Sequence, residues 1–174
     1  VFNTEDYGVP QSRKRGIIRM WKKGNIWEMP KTEKTVTVRQ AIGDLPSIEA
    51  GQDSGIKNHY ARKHTDEHIL CMKHTPTGHS AFENKIYYPK DKNGKRVKGF
   101  AATFKRIEWD APAPTITMRN DCISSQSNVH PGRELSDGTY SDARVLTPRE
   151  LFILSSIDPD IDMPANISES QSRY

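Results

Sequence analysis

The sequence predicts a mixed α/β, loop-rich chain. Three observations carry that expectation. Short β-branched or alternating runs lie at 15–21 and 115–118, helix N-terminus signatures sit at Thr37, Thr65 and Thr147, and long polar connectors rich in Gly, Pro, Asn and Ser separate them. Of 174 residues, 34% are hydrophobic, and the mean hydropathy is −0.78, so the core is modest and much of the chain is surface, loop or interface. The length suits one ordinary domain, or one domain plus a strip belonging to a neighbour. No run approaches a membrane span and no signal peptide is visible, so no membrane partner is expected. Lys and Arg exceed Asp and Glu by 26 to 22, a mild lean toward polyanionic partners that plain solubility explains equally well. Cys71 and Cys122, without CxxC spacing, exclude a disulfide framework and fit a reducing compartment.

In chain order, residues 15–21 (RGIIRMW) predict a short strand closed by the Gly24-Asn25 turn signal. A Lys-rich connector follows to about residue 35. Thr37 predicts an N-cap for a short helix over Val38 to Ile42, ended by Gly43-Asp44 and Pro46, and residues 47–55 read as loop. Thr65, with Asp66 and Glu67 in its first turn, opens a helix to about His74, stopped by Pro76 and Gly78. The basic turn at 89–96, flanked by Tyr87-Tyr88 and by Val97 to Lys105, predicts a hairpin. Thr115 to Met118 alternates as a strand, whereas Asn120 to Asp142 reads as loop. Thr147, Pro148 and Glu150 form a capping box with proline at the first helical position, predicting a helix that Asp158-Pro159 ends. Beyond Pro164 a further helix is expected from Ser168-Glu169-Ser170-Gln171. The chain opens on Val1 and stops at Tyr174 within what reads as a structured element, which suggests an excised piece of a longer protein.

The segment Asp6-Tyr7-Gly8-Val9-Pro10-Gln11-Ser12-Arg13-Lys14-Arg15 carries the first chemical signal. In an extended backbone, alternation sends Gln11, Arg13 and Arg15 to one face. Two guanidiniums beside an amide suit a phosphate or the carbonyl edge of a base, since Arg offers fixed, permanently charged donors. Spacing alone favours a plain solvated strand edge.

The same run resembles the GxPQxRxR element of DNA cytosine-5 methyltransferases, and Arg144-Val145-Leu146-Thr147-Pro148-Arg149-Glu150-Leu151 resembles their RxLTPRE element, in the right order. The resemblance implies that Gln11, Arg13 and Arg15 border the catalytic pocket and that Arg15 contacts the flipped cytosine. The second element reads as structural, since Thr, Pro and Glu spell a helix start, and Arg149 is expected to tie parts of the protein together. The intervening stretch, about 130 residues, matches the place of the variable target-recognition domain. The implied division is residues 1–40 as the edge of a Rossmann-like catalytic domain, 41–155 as target-recognition domain and 156–174 as a segment returning to the catalytic domain. A Thr-aliphatic pair near the target phosphates is also implied, and Thr115-Ile116 and Thr117-Met118 both qualify. His130-Pro131-Gly132-Arg133 is similar to what many members carry in this region.

The reaction of that family needs a thiolate, an acid and a methyl donor held in a glycine-lined pocket. Neither cysteine follows proline, Glu83-Asn84-Lys85 stands downstream of the QxRxR element where the family's acid motif precedes it, and no glycine-rich donor motif is present. The resemblance therefore implies that S-adenosylmethionine serves the full-length enzyme and that this chain alone binds no cofactor and methylates nothing. Double-stranded DNA is the implied partner, with a cognate restriction endonuclease and a bacterial cytoplasmic setting as family-level expectations. Candidate DNA contacts are Thr115, Thr117, Arg119, Asn120, Lys95 and Arg96, the last two among Lys90, Lys92 and Lys98 at the hairpin tip; a solvated charged turn explains that tip equally well. A non-catalytic DNA-binding module is the alternative. A zinc-dependent domain built on His64, His68 and Cys71 is weaker, because their spacing fits no zinc pattern.

Overall fold

A computed structural model describes residues 1–26, 28–117 and 119–163. Its regular elements are short: strands β1 (Phe2–Asn3) and β2 (Lys14–Arg15), and helices α1 (Val38–Ile42), α2 (Asp66–Lys73) and α3 (Pro148–Leu154), with 3-10 turns at Thr4–Tyr7 and Ala81–Glu83. Each α-helix begins where the sequence places a cap. The Thr37 hydroxyl accepts from Gln40 N while Thr37 N donates to Gln40 Oε1 at 2.9 Å. The Thr65 side chain accepts from His68 N, and Thr147 and Glu150 close a reciprocal capping box at the start of α3.

Helices this short are marginal alone, so packing must hold them. Val38 and Ile42 of α1 meet Leu151 and Leu154 of α3 over Ile107, Trp109, Ala113 and Leu146. A second cluster gathers Cys71 and Met72 of α2 with Ala81, Phe104, Ile123, Val129, Ala143 and Val145. Segments without regular structure supply half of the first cluster and most of the second. They are stitched by single bridges such as Arg106 with Val129 and Val129 with Val145.

Between the clusters lies a polar frame. Arg144, fully buried, donates in parallel to Glu150 at 2.8 and 2.9 Å, to Asp142 at 3.0 Å and to the Ile48 carbonyl at 2.7 Å. Arg106, equally buried, donates only to backbone carbonyls, those of Met72, His130, Ser141 and Asp142. Gly132 sits against that guanidinium at φ +76°, where any Cβ would strike Arg106. The glycine of His130-Pro131-Gly132-Arg133 is thus required by packing. Trp109 Nε1 donates to the Gly132 carbonyl at 2.7 Å, and Arg39 and Arg133 flank its ring at 5.3 and 5.4 Å.

Two imidazoles in this frame are held neutral. Burial, then the Arg144 cation, lowers His130 to about 3, and burial with His68, Arg62 and Arg144 nearby lowers His64 to about 4. In the unfolded chain both take a proton below about pH 6.5, so their contribution to stability is whole above that pH and declines as the pH falls toward 4 and 3. For His130 the decline approaches about 1.4 kcal/mol per pH unit. Urea midpoints measured from pH 8 to pH 5 are expected to drop from about pH 6.5 downward; a flat series would contradict the buried neutral rings.

Two strand expectations are corrected. Of residues 15–21 only Arg15 is in a strand, paired through Phe2. Beyond it Ile18 and Met20 are 88% and 89% exposed, because among the described residues no neighbouring strand offers backbone partners there. Residues 115–117 form no strand either; the extended chain there is held by the Gln11 and Arg13 side chains and by Thr115 Oγ1 donating to the Ser12 carbonyl, and Met118 lies outside the described residues. The hairpin shrinks to a turn at 91–94 closed by one bridge, Lys90 with Arg96. The stretch 120–142 is irregular as expected, yet its centre is buried rather than exposed loop. The helix expected at 168–171 falls outside the described residues, as does most of 156–174.

Candidate functional site

Gly8, at φ +76°, ends the first 3-10 turn in the left-handed region and turns the chain into Val9-Pro10-Gln11. From there it runs beside residues 113–116. Ala113 N donates to the Pro10 carbonyl at 2.9 Å and Ser12 N to the Ala113 carbonyl at 2.8 Å. Thr115 Oγ1 donates to the Ser12 carbonyl at 2.9 Å.

Alternation along this extended run then sorts the side chains. Gln11, 3% exposed, points Nε2 toward the Leu154 carbonyl and Ser155 Oγ at 3.5 and 3.4 Å, while its Oε1 accepts from Ile116 N at 3.4 Å. It joins the end of α3 to the 113–117 segment. Arg13 donates through Nη1 to the Ile116 carbonyl at 3.0 Å, and its backbone N–H to Asn3 Oδ1 at 2.8 Å. Arg15, exposed at the rim, donates to the Lys14 carbonyl at 2.6 Å. Thr4 holds the turn from the other side by donating to the Gln11 carbonyl.

These residues enclose a cleft of about 560 Å³, lined by Thr4, Val9, Gln11, Arg13, Arg15, Thr115, Ile116, Thr117 and Ser155. Five of the nine sequence candidates meet here: Gln11, Arg13, Arg15, Thr115 and Thr117. With two guanidiniums, three threonine hydroxyls and no carboxylate in its lining, the cleft can hold a ligand rich in carbonyl or anionic oxygens.

Of the remaining candidates, Arg119 is exposed and lines, with Thr117, a smaller polar cleft of about 320 Å³ that also includes Cys122, Ser124, Ser125 and Gln126. Asn120 turns inward instead, 6% exposed, donating to the Leu146 carbonyl at 3.0 Å. Arg96 lies over the Tyr88 ring at 4.3 Å and donates to the carbonyls of Phe82 and Asn84. Lys95 stands exposed beside it at the turn, and neither lines the two clefts. Arg149 donates to the Lys57 carbonyl at 3.0 Å and to Asp160 at 2.7 Å, joining three segments of this chain.

Thr4, Ile116 and Ser155 escaped sequence reasoning. Ile116 was visible only as a companion of Thr115, and nothing local announces that Ser155, just past α3, faces residue 11. Four of the six histidines are engaged as follows: His59 meets Thr147 Oγ1 and the Pro46 carbonyl, both at 3.0 Å, His64 accepts from Val145 N, His68 packs on Phe104 and His74 stacks on Tyr87. Among the described residues no group of three or more His, Cys, Asp or Glu is placed to hold a metal.

The family model for C-5 cytosine-specific DNA methylases matches residues 1–173. A Type II methyltransferase of Avibacterium volantium, M1.HgaI, is 57% identical over 97% of this chain and 47% of its own length. M1.HphI, a Type II methyltransferase of Haemophilus parahaemolyticus, is 29% identical over 92% and 38%. The Type II methylase M.HgiDII of Herpetosiphon aurantiacus is 29% identical over 77% and 39%. The chain thus spans about half, or less, of the length of these relatives. No solved structure matches it.

Proposed function

Because the chain belongs to the C-5 cytosine-specific DNA methylase family, we propose that it is the DNA target-recognition part of a longer methyltransferase. That enzyme moves a methyl group from S-adenosylmethionine to C5 of a cytosine flipped out of a short duplex sequence. Flipping is needed because a stacked ring hides its reacting atoms. Residues 41–155 serve as target-recognition domain, 1–40 as the edge of the catalytic domain, and 156–174 return toward it. A bacterial cytoplasmic setting with a cognate restriction endonuclease belongs to the same reading.

The observation that carries it is the convergence of Gln11, Arg13 and Arg15 with Thr115 and Thr117 on one cleft. Arg15, at the rim, donates to the carbonyl edge of the extruded base. Arg13, already fixed by the Ile116 carbonyl, offers its remaining N–H groups to base or phosphate. Gln11 positions both by holding the 113–117 segment against the end of α3. Thr115 and Thr117 border the target strand, and Arg119 continues the polar surface beyond Thr117. S-adenosylmethionine, held by residues outside this chain, supplies the methyl group.

Labelled methyl transfer tests this. The full-length enzyme is expected to label duplex DNA, whereas the 174-residue chain binds duplex weakly and salt-sensitively and labels nothing. Transfer by the chain alone, or none by the full-length protein, contradicts the proposal.

A further inference from the structure

Residues 85–105 hold seven of the 26 cationic side chains and one of the 22 acidic ones, leaving 19 cations against 21 acids elsewhere. The whole positive excess of the chain is therefore concentrated on this segment. Its solvent side is continuous, every residue from Lys90 to Ala101 being exposed. Near the C-terminal end of that exposed basic run Phe100 is 82% exposed. An aromatic ring exposed on the same run as these lysines is placed to meet whatever they bind.

The turn that presents the ring is fixed at three points. Gly99 lies so close on the Phe82 ring that a Cβ would collide with it, and Phe82 packs edge-on against buried Phe104. Thr103 donates to the Phe100 carbonyl through both N and Oγ1, at 2.9 and 2.8 Å. Ser127 N donates to the Ala102 carbonyl at 2.7 Å, and Thr103 bridges Gln126. Phe100 is thereby coupled to the loop that lines the polar cleft of Arg119 and Gln126.

We propose that Phe100 is a wedge that stacks on bases of duplex DNA while Lys92, Lys95 and Lys98 hold the flanking phosphates. This rests on the DNA-recognition reading given above and adds to it a specific contact. Apolar wedges of this kind insert at base steps and partly unstack them, and lysines around them bind the backbone without reading sequence. A protein partner fits less well, since lysine is depleted at the core of protein interfaces. Arg96 is occupied by Tyr88 and two carbonyls, so it braces the turn.

The test uses the full-length protein carrying this chain and a fluorescein-labelled duplex containing its methylation site, read by anisotropy at several salt concentrations. Phe100→Ala is expected to weaken binding about tenfold or more, near the low end of what base–aromatic stacking supplies, with an unchanged salt slope. Phe100→Trp is expected to restore it. Each of Lys92→Gln, Lys95→Gln and Lys98→Gln is expected to lower the salt slope by about 1. A Phe100→Ala protein that binds and methylates like the parent overturns the wedge while leaving the methyltransferase reading intact. Lower thermal stability at unchanged affinity overturns it too, and assigns the ring to packing within the protein. If the parent protein itself neither binds nor methylates DNA, both readings fall.

Discussion

Arg144→Ala is expected to destabilise the protein by about 3–5 kcal/mol, a large share of what holds a domain of this size together. Arg144 is fully buried, and its fork answers both oxygens of Glu150 as well as Asp142. Truncation leaves Glu150 sealed from water without its cation and Asp142 with Arg133 as its remaining one, at 3.3 Å. Burial, the largest single influence, would raise Glu150, but the Arg144 charge together with the hydrogen bonds from Arg144 and Thr147 and the neighbouring His130 holds the group at about 2; Asp142 is likewise kept well below the ordinary carboxylate range despite its burial. Glu150 also accepts from Thr147 N at 2.7 Å, so the damage reaches the cap of α3 and, through α3, its packing on α1. Acid acts on the same pair. The stability due to the depressed Glu150 is whole above about pH 4.3, its unfolded value, and is lost as the pH falls toward 2. Arg144→Lys keeps the charge but not the parallel donors, and should fall between the two. Urea denaturation measures the difference, and a loss under about 1 kcal/mol would refute the buried ion-pair frame.

Arg15→Ala carries the largest expected effect on activity. In the full-length enzyme kcat/KM for methyl transfer is expected to drop about 100-fold or more, the range seen when one preorganised donor at a reacting group is removed. Stability should hardly change, within about 0.5 kcal/mol, because the side chain is exposed and its described hydrogen bond is to the neighbouring Lys14 carbonyl. Arg15→Lys should recover little, since a point charge does not reproduce a planar fork. Gln11 is a poorer probe because its buried amide holds the cleft together. Unaltered turnover in Arg15→Ala would remove this residue from the base pocket.

The sequence was most legible where local chemistry decides. Thr37, Thr65 and Thr147 cap helices because a hydroxyl satisfies an otherwise orphaned N–H, and all three do so here. The alternation of Gln11, Arg13 and Arg15 likewise follows from extended backbone alone, and the three line one cleft. Long-range partners were not legible. Strand 15–21 read well by propensity, yet a strand needs neighbours that β-branched residues cannot supply. Arg144 was read as part of a motif whose wording a helix start explains, while its ion pair with Asp142 and Glu150 depends on chain crossings no periodicity reveals. Arg106 and Gly132, which fix each other in the core, gave no signal as a pair. Asn120 looked like a base reader from its loop composition, but its amide is engaged by the Leu146 carbonyl inside the fold.

The most direct measurement of the central claim is methylation-sensitive sequencing of DNA from cells expressing the full-length gene, in parallel with its Arg15→Ala form. The expected result is 5-methylcytosine at one position of one short sequence, abolished or nearly so by the substitution. Methylated cytosine that persists undiminished in the variant, or none with the parent gene, would contradict it.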